Sequence, residues 1–378
     1  MTPIRSTLAC NLDTNLLSAS LPLFEAGSVQ AIEWSFDTLY QHRQLPDWFT
    51  ELLTTFSDAG RLIGHGVFFS LFRGQWTPDQ QAWLDQLKDL ASIYKFDHIT
   101  EHFGFMTGAD FHKGAPLSIP LNASTLAIGQ DRLRRIQDAS GCPVGLENLA
   151  FAYSVDEVKR QGYFLNQLLE PVNGFLILDL HNLYCQSHNF GMRGADLLDL
   201  YPLDRVREIH ISGGSWSTST IEPERIIRRD THDDSVPAEV FAWLEQAINR
   251  CPNLRYVVLE QLGPALATEQ ERHFFQDDFR RMDQLVQAAN QTLPVRETNT
   301  FLPANSSANP SVPVEDTFLF AQQRTLAAIL ETAIDARQAQ AMLATSSLAN
   351  SDWAIEQWEP AMLETALAIA QKWRNGFD

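Results

Sequence analysis

The chain has 378 residues and a formal net charge of −19, so it is long enough for one barrel-sized domain with an appendage or for two ordinary domains. Its acidic surface repels phosphate backbones, which argues against a nucleic-acid partner. No apolar stretch reaches membrane-spanning length, no signal peptide is visible, and the four cysteines lack zinc-finger spacing. We therefore expect a cytoplasmic protein with reduced thiols and no membrane contact.

Short apolar runs and amphipathic stretches alternate over the first three quarters of the chain. The predicted strands, most of which end in a polar residue, are Arg5–Asn11, Val29–Ser35, Leu62–Phe68, Phe96–Glu101, Pro143–Asn148, Phe175–Leu180, Arg207–Ser212 and Arg255–Glu260. The predicted helices between them are Pro46–Ala59, Thr77–Tyr94, Leu126–Ala139, Val155–Leu168, Pro237–Asn249 and Thr268–Ala289. One of these helices begins with an N-cap, an N1 proline and a capping-box glutamine, at Thr77, Pro78 and Gln80.

Eight strands with interleaved helices predict an α/β fold of the (β/α)8 TIM-barrel class. An open doubly wound sheet is the alternative, and it would concentrate its chemistry at one switch point between strands. In this sequence nearly every predicted strand contributes a polar residue at its C-terminal end. That distribution favours a closed barrel, because all strands of a barrel end around one mouth.

The composition of the chain changes near residue 291. Residues 291–316 are rich in Pro, Asn and Ser and lack periodicity, which predicts a linker. Thr317–Thr345 and Asp352–Arg374 then show the apolar spacing of two amphipathic helices. The sequence thus predicts a barrel domain (1–290), a linker (291–316) and a helical C-terminal extension (317–378). A lone helical hairpin is marginally stable, so we expect the extension to pack on the barrel or on a partner.

Eight potential metal ligands lie at or just after the ends of the predicted strands: His65, His102, Glu147, Asp179, His210, Asp230, His232 and Glu260. Buried imidazoles and carboxylates are costly unless something pairs with them. One histidine at a strand end is ordinary, whereas such residues at six of eight strand ends form a pattern. The pattern predicts a cluster of metal ions at the mouth of the barrel.

The first three of these residues form a 2-His-1-carboxylate set, at His65, His102 and Glu147. Such a set leaves coordination positions open and suits non-haem Fe(II), with Zn and Mn as alternatives. A carboxylate has two oxygens, so Glu147 is able to bridge to a second metal ion.

The remaining ligands fall into two further sets. A second site would combine Glu147 with three later residues, which are Asp179, His210 and Glu260. Asp230 and His232, together with Asn182, would form a third and weaker site. The four carboxylates of the whole group balance the charge of two divalent cations, so charge alone favours two metals over three.

Two more carboxylates are candidate catalytic residues. Glu33 ends the second predicted strand and is either an acid or base or a partner in a salt bridge. Glu101 precedes His102 and points to the opposite side of its strand, so it has a supporting or a structural role. His98, inside the same strand, is expected to pack, and His181 is ambiguous.

Short motifs around these residues follow one another in a set order: GHGV at His65, TEHF at Glu101–Phe103, LEN at Glu147, LDLHNLY at Asp179, EIHISGG at His210, RDTHD at Asp230 and LEQ at Glu260. Over about residues 1–290 this order resembles the DUF692 family of multinuclear non-haem iron-dependent oxidative enzymes, which are TIM barrels. The resemblance implies two or three iron ions, dioxygen as co-substrate, and a ribosomally made precursor peptide as substrate, often modified at Cys. It places the metal ligands at His65, His102, Glu147, Asp179, Asn182, His210, Asp230, His232 and Glu260.

The chain departs from the family at two places. After Glu33, where relatives often carry a second acidic residue or His, the sequence is EWSFD, so that part of the pocket differs. The extension after residue 290 is not part of the usual core. Many members need a separate protein that delivers the peptide, so the extension either replaces or recruits that partner, or it forms a dimerisation hairpin.

Two other functional classes also fit the sequence. A metal-dependent hydrolase or isomerase of the endonuclease-IV or xylose-isomerase barrel type uses a similar ligand set. The first would need a basic groove and the second a Lys near the metals, and both features are missing from the sequence pattern. A non-catalytic peptide-binding scaffold is the other alternative, with the C-terminal helices as its binding surface.

Overall fold

The computed structural model describes residues 3–40, 45–108, 110, 113–292, 298–303 and 312–374. Within these ranges the strands are, in chain order, β1 (Arg5–Ala9), β2 (Ala31–Trp34), β3 (Leu62–His65), β4 (Phe96–His102), β5 (Phe105–Met106), β6 (Pro116–Leu117), β7 (Val144–Glu147), β8 (Phe175–Asp179), β9 (Val206–Ile211), β10 (Trp216–Thr218), β11 (Ile226–Arg228) and β12 (Tyr256–Leu259). The helices are α1 (Thr14–Glu25), α2 (Asp47–Asp58), α3 (Pro78–Ile93), α4 (Ala123–Ser140), α5 (Val155–Leu169), α6 (Leu180–Phe190), α7 (Gly194–Leu198), α8 (Ala238–Arg250), α9 (Glu269–Thr292), α10 (Thr317–Thr332), α11 (Ala336–Ala344) and α12 (Pro360–Trp373).

Eight of the strands form a closed parallel barrel in the order β1–β12–β9–β8–β7–β4–β3–β2. The predicted (β/α)8 class is therefore confirmed, and the open sheet is excluded because β1 pairs with both β2 and β12. The observed barrel strands agree with the predicted ones to within about three residues at each end. The other four strands form two short antiparallel pairs, β5 with β6 and β10 with β11.

The helices around the barrel begin where local capping signals place them. The hydroxyl of Thr77 accepts a hydrogen bond from the Gln80 backbone N–H, and the Gln80 side chain accepts one from the Thr77 N–H, both at 3.3 Å. This confirms the predicted capping box of α3. Helices α1, α6 and α7 were not predicted, although α1 is capped by Asp13, whose carboxylate accepts backbone hydrogen bonds from the first turn. None of the described helices combines the length and apolar character that a membrane span needs.

The N-terminal end of the barrel is closed by a segment of the predicted linker. Phe301 is fully buried and packs on Phe175 and Ile177 of β8. Residues 298–303 therefore form part of the barrel base at this point. Residues 293–297 and 304–311, which also belong to the predicted linker, lie outside the described residues.

Up to residue 374, where the description ends, the C-terminal extension contains three α-helices, α10, α11 and α12, so the prediction of two was wrong. Helix α10 ends at Thr332, and Asp335 starts α11 by accepting a hydrogen bond from the Gln338 backbone N–H at 2.8 Å. Pro360 is the first residue of α12, eight residues later than the predicted start at Asp352. Both errors come from local start signals that interrupt a continuous apolar pattern.

The extension packs on loops that follow the C-terminal ends of barrel strands. The indole of Trp358 stacks on the ring of Tyr153 at a centroid distance of 3.6 Å, and the Glu359 N–H donates to the Tyr153 carbonyl at 2.9 Å. In the loop after β3, the Trp76 N–H donates to the carboxylate of Glu315 at 2.7 Å. The extension therefore lies on the same side of the barrel as the predicted ligands.

Candidate metal centre

The first predicted set of ligands converges at the mouth of the barrel. His65, His102 and Glu147 end the neighbouring strands β3, β4 and β7, and the Nε2 atoms of both histidines lie 3.5 Å and 3.4 Å from Oε2 of Glu147. The two Nε2 atoms are 3.3 Å apart. The register of the parallel strands produces this arrangement, because it places His102 directly opposite Glu147.

The opposite ring nitrogens show how these two imidazoles are protonated. Nδ1 of His102 lies 3.2 Å from the carbonyl oxygen of Gly66, which only accepts, so this nitrogen carries the proton. Nδ1 of His65 lies 2.8 Å from the hydroxyl of Thr100, which itself donates to the carbonyl of Gly64 at 3.2 Å. Both Nε2 atoms therefore present lone pairs to each other. Facing lone pairs at this distance repel, and a cation between them removes the conflict.

A second set shares Glu147 with the first. The ligand atoms of Glu147, Asp179, His210 and Glu260 all lie within 4.8 Å of one another. Nδ1 of His210 is 3.3 Å from Glu260 and 4.0 Å from Glu147. Among the described residues, neither Nδ1 of His210 nor Oδ2 of Asp179 has a hydrogen-bond partner, although both atoms are buried. Buried polar atoms without partners are expected where a metal binds.

Beneath this second set lies a buried network that the sequence did not reveal. Oε1 of Glu208 is 3.0 Å from Nε2 of His210, and its other oxygen is 2.6 Å from Nε2 of His98. Although burial raises it, the His98 and His210 charges bring the pKa of Glu208 below its usual range. An ionised Glu208 accepts from both rings, so Nε2 of His210 carries the proton and Nδ1 faces the metal position.

Glu33 lies in the same network. Its Oε2 is 3.2 Å from Nε2 of His210, and burial raises its pKa well above the usual range. Nε2 of His210 lies closer to Glu208, at 3.0 Å, so the raised pKa is consistent with a neutral Glu33. The carboxyl thus lies behind a candidate ligand and touches no other predicted one. A catalytic role for Glu33 stays a prediction.

Glu101 lies on the opposite side of the barrel wall, as its place beside His102 predicts. Its carboxylate accepts hydrogen bonds from the backbone N–H groups of His102 (3.0 Å) and Phe69 (3.4 Å). A Cβ at Gly66 would lie 2.3 Å from Oε1 of Glu101, so a side chain there would have to displace this carboxylate. Glu101 therefore supports the loop after β3, and its predicted catalytic role stays a prediction.

The third predicted set is less regular. Oδ1 of Asp230 lies 3.0 Å from Nε2 of His232, and Nδ1 of His232 lies 3.9 Å from Oε2 of Glu260. Asn182 donates from its side-chain amide to Glu147 at 3.2 Å, and its Oδ1 is buried without a hydrogen-bond partner among the described residues. The structure thus brings all nine predicted ligands to one mouth, but Asp230 and His232 pair directly with each other.

The electrostatics of the site favour added positive charge. Burial raises the pKa of Glu147 well above its usual range; His210 lowers it, whereas Asp179 and Glu260 raise it further. Burial and the charge of Asp230 raise the pKa of Asp179 to about 7. These carboxylates therefore cannot all ionise at neutral pH without compensation. Divalent cations supply that compensation, so the residues present fit two metal ions at the first two sets.

The sequence of the chain matches that of known proteins. The model of the family described as RiPP precursor modification enzyme MbnB/TglH/ChrH matches residues 40–264, more than half of the chain. A UPF0276 protein from Acaryochloris marina is 32% identical over 189 residues, which are 49% of this chain and 64% of that protein. A UPF0276 protein from Pasteurella multocida is 26% identical over 219 residues, which are 53% of this chain and 70% of that protein. The match thus spans a little under two thirds of the Acaryochloris relative.

Solved structures that resemble the chain include a xylose isomerase-like TIM barrel protein from Mycobacterium smegmatis in complex with magnesium. It has 12% sequence identity and a TM-score of 0.47, and the alignment covers 75% of this chain and 97% of that one. The IOLI protein with a bound zinc atom also has 12% identity, with a TM-score of 0.48 and coverage of 74% and 98%.

Proposed function

The chain belongs to the family of RiPP precursor modification enzymes MbnB/TglH/ChrH, and from this premise we propose that it is an iron- and dioxygen-dependent oxidase that modifies a residue, in the first place Cys, of a ribosomally synthesised precursor peptide. The DUF692 resemblance of the motifs is confirmed, because the matched model and the UPF0276 relatives represent that family. The observation that carries the proposal is the carboxylate of Glu147, which two adjacent sets of metal-type ligands share.

The ligand types of the first set support iron in particular. Two histidines and one carboxylate leave open coordination positions, and the described donors are nitrogen and oxygen atoms without a thiolate. When bound, iron supplies the redox chemistry with dioxygen, which the side chains of the protein are unable to perform.

The residues of the chain then have three tasks. Thr100 and the Gly66 carbonyl hold His65 and His102 so that their lone pairs converge, and Glu208 does the same for His210. Glu147 would contribute a ligand atom to each set, because its Oε2 faces His65 and His102 and its Oε1 faces His210. The apolar barrel around these groups excludes bulk water, which strengthens every charge interaction in the site.

We also propose that the extension forms part of the peptide-binding surface, either in place of a separate delivery protein or together with one. Its helix α12 binds the hairpin made by β10 and β11, which borders the mouth. The carboxylate of Glu364 accepts hydrogen bonds from the Ser219 hydroxyl (2.6 Å) and the Thr220 N–H (3.0 Å). Glu359 forms an ion pair with Arg225, in the loop that connects the two strands of this hairpin. A peptide that approaches the metals from this side meets the extension first.

The experiment is reconstitution of the full chain with Fe(II) under anaerobic conditions, followed by addition of dioxygen and short Cys-containing peptides encoded in neighbouring reading frames. We expect at least two irons per chain, peptide-dependent oxygen consumption, and a mass change in one peptide. His65→Ala should abolish both the consumption and the mass change. His273→Ala, at a histidine whose side chain is 67% exposed on α9, is the matched control and should behave as the wild type.

Other outcomes would identify the alternatives. Protein that retains only zinc and consumes no oxygen with any peptide contradicts the oxidase proposal and favours a metal-dependent hydrolase or isomerase. Protein that binds peptide but retains no metal after supply of iron favours a scaffold.

A further inference from the structure

Helix α6 places another histidine beside the third set of candidate ligands. His181 is fully buried, and its Nδ1 lies 3.1 Å from Oδ1 of Asp230. Asp230 follows the β10–β11 hairpin and not a barrel strand, so the barrel backbone alone does not fix the direction of its carboxylate. His181 is therefore in a position either to bind a metal or to hold Asp230.

The partners of His181 decide between these roles. Arg228 donates from Nε to Nε2 of His181 at 3.2 Å, and a guanidinium has donors only. A neutral imidazole that accepts at Nε2 carries its proton on Nδ1. This N–H donates to Asp230. Neither ring nitrogen keeps a free lone pair, so His181 holds Asp230 and is not itself a ligand.

The position of Arg228 is itself fixed. Its side chain is buried, and its guanidinium lies 4.8 Å from the ring centre of Trp216 and 5.3 Å from that of Tyr184. The side-chain amide of Asn189 accepts from the Arg228 N–H at 2.8 Å and donates to the Arg228 carbonyl at 3.0 Å. A Cβ at Gly214 would lie 2.2 Å from a backbone oxygen and 3.0 Å from the His181 ring. The absence of a side chain at residue 214 therefore allows the backbone to pass close to this ring.

We propose that His181 and Arg228 form a positioning pair that fixes the carboxylate of Asp230 and so sets the affinity of the third metal position. The inference rests on the proposed function, since it requires a third ion at Asp230 and His232. Hydrogen bonds that orient metal ligands typically change metal affinity by about 10- to 100-fold when they are removed. We expect a loss of this size at the third position only.

The test compares three substitutions of His181 by the number of metals bound. The side-chain nitrogen of Asn lies near the place of imidazole Nδ1, whereas that of Gln lies near Nε2. His181→Asn therefore keeps the donor to Asp230, His181→Gln displaces it, and His181→Ala removes it. Each full-length variant is loaded anaerobically with Fe(II), challenged with increasing chelator, separated by gel filtration, and assayed for iron per chain.

We expect the wild type and His181→Asn to hold a third iron to similar chelator concentrations. His181→Gln and His181→Ala should release it at concentrations about 10- to 100-fold lower. The first two irons report on folding in every sample, because their ligands are on the barrel strands. His273→Gln, at a histidine of α9 whose side chain is 67% exposed, is the control and should retain three irons.

Loss of the third iron in all three His181 variants overturns the proposal, because it identifies His181 as a ligand. Loss in none of them, or a wild type that binds only two irons, overturns it as well. The proposed oxidation is tested by a separate measurement, the mass of the peptide. If the Asn and Gln variants differ in iron content while no peptide is oxidised, the positioning pair stands and the oxidase proposal fails.

Discussion

The candidate ligands fall into two regions that differ in what holds them. Six of the nine lie within one residue of the end of a barrel strand, and Asn182 follows β8 in the first turn of α6. The strand register sets the spacing of the six, as where Asp179 lies opposite His210. Asp230 and His232 lie instead in a loop after a short hairpin, and His232 has a positive φ of 51°. The ligands of the first region, called strand-borne below, are positioned by the backbone of the barrel. Those of the second region, called loop-borne below, depend on contacts with side chains of other elements.

This difference indicates which ligands the extension is able to influence. The hairpin before Asp230 is tied to α12 through the ion pair of Arg225 with Glu359 and through Glu364. The strand-borne ligands are positioned without such ties. We therefore expect changes in the extension to affect the loop-borne ligands and to leave the strand-borne ones intact, and the following predictions test that division.

The largest effect is expected for Glu147→Ala in the strand-borne region. The substitution removes a ligand from two metal sets at once and leaves the lone pairs of His65 and His102 facing each other. We expect loss of at least one iron per chain and a decrease in turnover of more than about 1,000-fold, because the substrate position is lost together with the metal. Iron analysis and the peptide mass assay measure both. Glu157→Gln, at a half-buried glutamate of α5 outside the ligand sets, should keep the wild-type iron content, and equal iron loss there would contradict the assignment.

The next largest effect is expected for Glu208→Gln, below the same region. A glutamine has one acceptor oxygen and one donor nitrogen, so it is unable to accept from both His98 and His210. We expect metal affinity to weaken about 10- to 100-fold in a chelator competition. Glu33→Gln is the comparison, because glutamine mimics a neutral acid and should change affinity less than about threefold. A large fall in turnover at unchanged affinity in Glu33→Gln would instead support the predicted catalytic role of Glu33.

The strand-borne region could be predicted from the sequence because its signal is local. An apolar run that ends in His, Asp or Glu places that residue at the barrel mouth, whatever the rest of the chain does. Glu208 was missed although its signal is present: it lies two residues before His210, and residues two apart on a strand share a face. The contacts with His98 and His210 make the burial of this carboxylate possible.

The loop-borne region could not be predicted in the same way. The roles of His181 and Arg228 depend on a contact across 47 positions of the chain, which no periodicity shows. The packing of the extension depends in the same way on the stacking of Tyr153 against Trp358. Only the local start signals at Asp335 and Pro360 were available to separate its helices.

A smaller effect is expected for Glu364→Ala in the extension. The substitution removes acceptors for Ser219 and Thr220 and so loosens the hairpin before Asp230. We expect a loss of about 1–2 kcal/mol in the free energy of unfolding, as is usual for hydrogen bonds to a charged group. The third iron should bind several-fold more weakly, while the first two remain. Glu356→Ala, at an exposed glutamate of the same extension that accepts a hydrogen bond from the Asn350 N–H and lies outside the contacts with the hairpin described above, is the control. Equal iron loss in both variants would show that the hairpin ties do not matter.

The smallest effect concerns the loop on which the extension packs. The Glu157 carboxylate accepts from the Tyr153 N–H at 3.0 Å, and burial raises its pKa to about 7. A folded-state pKa above the usual 4.5 means that the protonated form contributes stability at low pH, and this contribution is lost as the pH rises through 7. The free energy of unfolding should therefore fall by about 2–3 kcal/mol between pH 5 and pH 8 relative to Glu157→Gln.

Urea denaturation of both proteins across this pH range measures the difference. Asp156→Asn, at a neighbour whose side chain is 58% exposed, should keep the pH dependence of the wild type. The Tyr153 carbonyl also accepts a hydrogen bond from the Glu359 N–H. The same pH rise should therefore weaken the packing of the extension on this loop before it affects the barrel. Proteolysis at pH 8 should then cut the extension faster in the wild type than in Glu157→Gln. Equal cleavage rates would mean that the stability of this loop and the docking of the extension are independent.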